Sequence, residues 1–417
     1  MPRHHVLPSS RTARILAVVQ AGGEGSRMDV LTRERAKPAL PFAGSYQLID
    51  FALSNLANSQ IPHVWVSVQY QAGSLDRHLA QGRPWDLDRT RGGYRRLVPE
   101  AGHTDSVAGF SAGNADDLLR MHNDIAELDP DVVIVTSADH IFRLDLREVL
   151  ARHLDRRAEC TIVTTEVPLA EAKHKAVVRV GRGQLVKGLD YKPSRPASGL
   201  VATEVFVYDA PRLLAELDAL RRDRAAVDPG LTEGLGDFGE HLVPRLIARG
   251  RTYAHALEGY WKDLGRPAAY LAAHRDLLRG KVDVFDDPRW PMLTRFPELP
   301  PAWVAAEGTV ADSLLSPGAA VHGTVCGSVV GPGCVIEAGA RVVDSVLMAG
   351  VRVAAGARVA GSVLDDGVVV EADAVVGAAP RRWPPADTAV TLCGRQSRVR
   401  AGVVLPAGGR LEPGGTA

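Results

Sequence analysis

Between Ser328 and Gly367 one pattern recurs three times: Ser328-Val-Val-Gly-Pro-Gly333, Ser345-Val-Leu-Met-Ala-Gly350 and Ser362-Val-Leu-Asp-Asp-Gly367. Its period is about 17 residues. Within it, apolar side chains fall near every sixth position: Val330, Ile336, Val342, Leu347, Val353, Val359, Leu364, Val370 and Val376. A helix of period 3.6 does not account for those positions. Short strands do, if each sends one aliphatic side chain inward to stack on its equivalents in adjacent coils. The pattern therefore predicts a left-handed parallel β-helix, with an ordinary β-sandwich as the plainer alternative. Such a solenoid leaves a flat side open, so a homo-oligomer is expected.

The first 280 residues read differently. Strands are expected at Ile15 to Val19, His63 to Val68, Asp131 to Thr136, Cys160 to Val167 and Val201 to Tyr208, with Ala176 to Val180 pairing with Leu185 to Leu189. Helical periodicity appears from Leu75, over Asp116 to Leu128, over Leu146 to His153 and over Pro211 to Leu220. This βαβα order predicts a doubly wound, mostly parallel sheet with ligands at the carboxyl ends of its strands. Residues 81 to 110 show no sustained period and are expected to be a loop. The chain divides into a flexible tail (1–13), an α/β domain (14–280), a proline-rich connector (281–311) and the β-helix domain with its C-terminal tail (312–417).

The first strand runs into a glycine turn, Ala21-Gly-Gly-Glu-Gly25, followed by Arg27, Arg35 and Lys37. Glycines let the backbone approach a ligand and aim N–H groups at an anion. The turn lacks the Gly-Lys-Ser/Thr ending of a P-loop, and Met28 stands where a dinucleotide fingerprint needs its third glycine. What remains is a phosphate turn with cations downstream, suited to a triphosphate. Asp139 ends a buried strand and suits a Mg²⁺ ligand, its plainer role being a turn or cap residue. Asp263 is a second carboxylate candidate, its plainer role being an N-cap for the helix around Ala268 to Leu278.

Lys+Arg and Asp+Glu are both 49, so the formal charge is zero, which argues against nucleic acid or an anionic membrane as partner. No run approaches a membrane span, and the basic N-terminus has no apolar signal region. Cys160, Cys326, Cys334 and Cys393 form no C-x-x-C pair and read as reduced residues of a cytoplasmic protein.

The segments AGGEGSRMDVLTRERAKPALPF, LIDFALSNLANSQI, VQYQAGSLDRHL, ADHIFRLD, GLDYKP, DFGEHLVP and GYWKDLGRPAAY occur in the order found in sugar-nucleotide pyrophosphorylases. The resemblance spans about residues 14 to 380 and is greatest to the bacterial glucose-1-phosphate adenylyltransferase family. It implies transfer of the adenylyl group of ATP to glucose 1-phosphate, for glycogen or related glucans, by an allosteric homotetramer. It further implies that Gly22, Gly23 and Gly25 line the triphosphate and that Arg27 and Lys37 hold the departing pyrophosphate. By the same resemblance Gln69 and the loop near Gly113 contact the adenine, Asp139 and Asp263 bind Mg²⁺, and Lys192 binds the sugar phosphate.

The sugar side departs from the family. Tyr191 replaces the glutamate of its Glu-Lys-Pro, and Ala202-Thr203-Glu204 replaces Ser-Met-Gly, so Tyr191 and Glu204 join Lys192 as candidate sugar-phosphate residues. His174-Lys175-Ala176-Val177, Gln20 and Asn114-Ala-Asp-Asp117 are further departures. They admit a paralogue using another hexose 1-phosphate, such as glucosamine 1-phosphate, or a weakly catalytic regulatory subunit. Glu34 and Gln47 stand where family members carry effector-binding cations, which speaks against activation by fructose 1,6-bisphosphate. Arg381, Arg382 and the segment Arg395 to Arg400 are basic alternatives for other anions.

Overall fold

A computed structural model describes residues 13–98, 111, 113–227, 235–380 and 382–417; most of the expected N-terminal tail, and Arg381, lie outside these. The α/β part begins with β1 (Ile15–Gln20), whose central four residues are buried as an interior strand requires. Two short strands, β2 (Pro41–Phe42) and β3 (Tyr46–Gln47), lead into helix α1 (Leu48–Asn58). Gln47 precedes that helix and donates its backbone N–H to Asp50 Oδ2 at 2.8 Å, so it serves the helix start. Next come β4 (His63–Ser67), α2 (Gly73–Leu79) and β5 (Gly93–Leu97). Strand β5 lies inside the stretch expected to be a loop. It is an edge strand whose Arg95 and Arg96 face solvent, so it carries no apolar alternation to read. Residues 81–85 of that expected loop belong to the short helical segment Ala80–Trp85, and residues 99 to 110 lie outside the described residues.

The helix expected over Asp116 to Leu128 is two helices, α3 (Asn114–Arg120) and α4 (His122–Leu128), broken at Met121 with φ −84° and ψ 0°. Then follow β6 (Val132–Ser137), β7 (His140–Phe142), α5 (Leu146–Asp155), β8 (Cys160–Glu166), β9 (Ala176–Val180), β10 (Val186–Tyr191), β11 (Leu200–Asp209), β12 (Thr252–Ala256) and β13 (Trp261–Asp263).

Nine of these strands form one sheet. Strands β5, β4, β1 and β6 lie side by side and parallel. Strand β11 pairs antiparallel to β6 and β8, and β12 continues parallel to β8. Strands β11 and β10 run against the others, so the sheet is mixed but mostly parallel. One apolar layer packs β1, β4 and β6 under α1 and α5, through Val19, Leu53, Val66, Ile134 and Val149. The opposite layer, with Leu16, Val18, Leu118, Ile125, Phe206 and Leu213, lies under α3, α4 and the helices Ala210–Val227 and Leu242–Ala248.

The repeat folds as the expected β-helix: three parallel six-stranded sheets stack coil on coil, from Trp303–Val304 to Arg410–Leu411. All nine hexad residues from Val330 to Val376 are buried in one continuous core. The repeated serines form a ladder. Ser345 N donates to Ser328 Oγ at 3.1 Å and Ser362 N to Ser345 Oγ at 3.2 Å, each hydroxyl in turn donating to the carbonyl two residues back. The repeated glycines 333, 350 and 367 take φ near +67°, +68° and +68°, the left-handed corner of each coil.

One face of the solenoid is apolar on its outside as well. In the sheet running from Leu314–Leu315 to Arg410–Leu411, Leu347 and Leu364 point into the solenoid core, whereas Val346, Val363 and Leu392 pack outward on the α/β part against Met28, Leu31, Phe42, Phe51 and Tyr270. Ion pairs ring this joint: Arg35 with Asp365 and Asp366, Arg275 with Asp344, and Arg410 with Asp29.

Candidate active site

Strands β1, β4 and β6 end at one edge, where β1 has neighbours on both sides and the chain order reverses, the usual ligand crevice of such sheets. The glycine turn follows β1, Gln69 follows β4, and Asp139 lies between β6 and β7. Asp263 reaches the same edge because β13 pairs with β7, placing it opposite His140. The helix after it starts at Pro267 with Arg266 as its cap residue, so Asp263 does not cap it.

Lys37 joins the two carboxylates. Its buried Nζ bonds Asp139 Oδ2 and lies 3.3 Å from Asp263 Oδ1. The second oxygen of Asp263 is held by Lys175 Nζ, which sits 5.2 Å from the Trp261 ring centre. Burial pushes the Asp139 carboxyl upward, but Lys37 and His140 more than offset that and hold it at about 2. Burial and the two lysines act the same way on Asp263, which lies well below the usual carboxylate range. Lys37 is raised above an ordinary lysine: its burial is outweighed by the two aspartates. The site is thus a compact set of fixed charges at neutral pH.

Arg27 is exposed beside the turn and makes no ion pair among the described residues, so its charge is free for a ligand. Arg35, read from the sequence as a third cation of this turn, is not one. Its guanidinium is 6% exposed and points into the solenoid, 2.8 Å from Asp365 and 2.6 Å from Asp366. Gly23 is open on the site side, and a Cβ at Gly22 would come within 2.8 Å of Gln69 Nε2, so glycine there admits the close approach of that amide. Gly25 closes the turn against Lys37.

Gln69 belongs to a network that two sequence departures build together. Asp117 accepts from Ser67 Oγ at 2.7 Å, from Gln20 Nε2 at 3.1 Å and from Gln69 Nε2 at 3.3 Å. Ser111 N donates to Gln69 Oε1 at 2.9 Å, so the amide is fixed from both sides. Burial pushes the Asp117 carboxyl upward against the pull of those three donors. Gly113 opens α3, and Asn114 Oδ1 in its first turn accepts from Phe238 N at 2.8 Å, tying this loop to the Asp237-Phe238 segment.

On the sugar side, Tyr191 donates its hydroxyl to Asp237, and Lys192 Nζ lies 2.6 Å from Tyr191 Oη and 3.7 Å from Asp237. Burial and Asp237 raise the Tyr191 phenol, so it stays a donor. Glu204 stands on a bulge of β11 at φ +59° with its carboxylate toward His140, 4.0 Å from Nε2. In the sequence Lys175, Gln20 and Asp117 stand out only as departures, with no role attached, and Asp237 only as part of a motif. Their role comes from contacts across 40 to 100 residues of chain that no local pattern records.

For a cation, the shared ammonium of Lys37 marks where Asp139 and Asp263 converge, and hard oxygen donors of this kind suit a divalent ion. Asp139, His140 and Glu204 also present ligand atoms within 4.8 Å of one another.

An α/β sheet with a glycine turn, paired carboxylates and converging cations at its strand ends defines a phosphoryl-group-transferring nucleotide enzyme. The nucleotidyl transferase family model matches residues 16–280 and a GlmU-like C-terminal hexapeptide model matches residues 300–386; the chain belongs to the nucleotidyl transferase family. Several relatives similar to it carry the name glucose-1-phosphate adenylyltransferase. The protein of that name from Fervidobacterium nodosum is 34% identical over 80% of this chain and 78% of its own length. Those from Clostridium acetobutylicum (34%, covering 74% and 79%) and Bacillus thuringiensis (32%, covering 80% and 87%) are similar to the same degree. Among the described residues no helix is long and apolar enough to cross a membrane.

Proposed function

We propose that this protein transfers the adenylyl group of ATP to α-D-glucose 1-phosphate, giving ADP-glucose and pyrophosphate for glycogen or related α-glucan synthesis. The observation that carries the reading is Lys37 held between Asp139 and Asp263 at the strand edge that faces the glycine turn. A phosphate oxygen of the sugar phosphate attacks the α-phosphorus of ATP, a P–O bond forms, and the bond to the β-phosphate oxygen breaks as pyrophosphate leaves. Little covalent work falls to the protein; it orients the two anions and balances charge. Gly22, Gly23 and Gly25 bring backbone N–H groups to the triphosphate, while Arg27 and Lys37 offset charge on the departing pyrophosphate. Gln69, fixed by Asp117 and Ser111, presents its Oε1 to the exocyclic amine of adenine.

Asp139 and Asp263 would hold Mg²⁺, which supplies charge neutralisation at the phosphates when bound. Lys175 joins Lys192 in receiving the sugar phosphate. The exposed Trp303, Val304 and Val404 at the solenoid ends support self-association, and a tetramer is the state proposed.

Tyr191 and Glu204 favour a second reading of the sugar. Asp237 and Glu204 place two carboxylates by Tyr191 where an amine would be welcome, which suits glucosamine 1-phosphate. Pyrophosphate release over a matrix of ATP, other nucleotides and hexose 1-phosphates tests both. Turnover with glucose 1-phosphate is expected; turnover with glucosamine 1-phosphate alone replaces the sugar, and none with any pair makes the chain a regulatory subunit. Asp139→Asn should keep its fold and lose about a hundredfold or more in kcat.

A further inference from the structure

Helix α5 closes on two arginines, Arg152 in its last turn and Arg156 just past its end. The helix dipole favours a cation there, but two like charges at this spacing repel each other. Their surroundings do not relieve that repulsion, for among the described residues neither guanidinium makes an ion pair. Arg156 lies over the Tyr253 ring, 5.0 Å from its centre, and Arg152 Nη1 is 3.5 Å from His255 Nδ1. Burial, Arg152 and Arg156 push His255 down to about 4, so at neutral pH its ring is uncharged and Nδ1 faces Arg152 as an acceptor.

The two guanidiniums meet at a cavity of about 150 Å³, walled also by Thr161, Gln184, Tyr253 and His255, with no carboxylate in its lining. One water needs only about 10–15 Å³, so a tetrahedral anion has room. A second cavity of about 600 Å³ adjoins it and shares Arg152, His255 and Ala256. There the arginines are matched. Arg147 pairs with Asp145 at 2.6 Å and Arg289 with Asp287 at 3.2 Å, while Arg143 acts on Asp287 as well. Glu148, Glu258 and Trp290 also line it. Neither cavity is lined by the glycine turn, Lys37, Asp139, Asp263 or Lys192.

A guanidinium fork fits the oxygens of a phosphate or carboxylate. Two cations with no acid beside them balance a dianion, which a phosphate monoester approaches near neutral pH and a single carboxylate does not. In the larger cavity, Glu148 and Glu258 accept from hydroxyls, and the Trp290 ring packs on the C–H face of a small ring. We propose that Arg152 and Arg156 bind the phosphate of a small phosphorylated sugar or polyol whose hydroxylated body lies in the adjoining cavity. The site is separate from the catalytic crevice and does not depend on the reaction proposed for it.

The test is isothermal titration calorimetry of the full-length protein with inorganic phosphate and with ribose 5-phosphate. Ribose 5-phosphate should bind about tenfold more tightly, because only the ester reaches both cavities. Arg152→Met and Arg156→Met should each weaken that binding by about tenfold or more. Both keep the side-chain stem, Arg152 is exposed, and circular dichroism checks that the variants are folded. Arg147→Met, on the same helix but already matched by Asp145, should leave the affinity nearly unchanged. An equal loss in Arg147→Met reduces the effect to general surface charge and overturns the site. Loss in Lys192→Met instead of Arg152→Met places the ligand in the catalytic crevice and overturns it too. Equal affinity for phosphate and ribose 5-phosphate overturns the sugar or polyol, and no binding of either probe at millimolar concentration overturns the whole.

Discussion

Replacing Arg35 by methionine probes how the solenoid holds the catalytic segment, since Arg35 lies two residues before Lys37. The substitution keeps most of the side-chain stem and removes the cation that faces Asp365, 3% exposed, and Asp366, 29% exposed. Breaking one side of a buried pair costs about 3–5 kcal/mol when the remaining charge has no escape. Asp365 has one: burial already pushes its carboxyl up to about 6, with Arg35 pulling the other way. At pH 7.5 a group titrating at about 6 is protonated at a cost of about 2 kcal/mol, which bounds its share of the damage. Asp366 reaches water and adds about 1 kcal/mol. The variant should therefore lose about 3 kcal/mol at pH 7.5. The loss shrinks toward about 1 kcal/mol at pH 5.5, where taking up the proton is free. Urea unfolding followed by tryptophan fluorescence at the two pH values measures both numbers. Adding Asp365→Asn and Asp366→Asn to Arg35→Met should restore most of the stability, because an uncharged trio leaves no buried ion unpaired. A gap that stays constant or widens as pH falls, or no recovery in the triple variant, would refute the reasoning.

Asp117→Ala frees Gln69 from one of its two restraints and should narrow the preference for ATP over GTP by about tenfold, with Gln20→Leu on the same background recovering stability but not selectivity; kcat/KM for the two nucleotides decides this. Lys175→Met should raise KM for the sugar phosphate with a smaller change in KM for ATP, and steady-state kinetics with each substrate varied separately separates the two. Acid stability has its own signature. His153 and His274 are buried and pushed down to about 4 chiefly by that burial, so the unfolded chain binds protons near pH 6.5 that the folded protein refuses. Stability is present above that range and falls with pH. About 2 kcal/mol per histidine is lost between pH 7.5 and 5, partly offset by about 1 kcal/mol gained as Asp365 takes up its proton. Denaturant midpoints across that range check the slope, and a midpoint that rises on acidification would contradict it.

Much of this architecture is legible in the amino-acid sequence. The hexad residues from Val330 to Val376 show a strict spacing because one backbone turn repeats, and every one is buried. The glycine turn, Asp139 and Asp263 were readable because they sit at strand ends, where periodicity stops. Arg35 reads from the sequence as a phosphate cation because its partners lie more than 300 residues downstream, and no local pattern says which way a guanidinium turns. Strand β5 is not legible in the sequence because Gly-Tyr-Arg-Arg-Leu is an edge with polar side chains outward. The sugar pocket was the least legible part. Tyr191 with Asp237, and Lys175 with Asp263, are contacts between segments 46 and 88 residues apart, and residue type alone does not reveal them.

The dry joint formed by Val346, Val363 and Leu392 against Met28, Phe42 and Tyr270 bears on how such a chain can change over generations. Domains that travel between genes as interchangeable parts meet through wet, loosely fitted surfaces. These two halves instead share one apolar seam, and separating them leaves a greasy face on each. A recombination at the proline-rich connector would bring together faces that had never been matched. Inheritance of this enzyme is therefore expected to be all or nothing: the solenoid and the catalytic sheet diverge as a couple, and a change on one side of the seam invites its answer on the other.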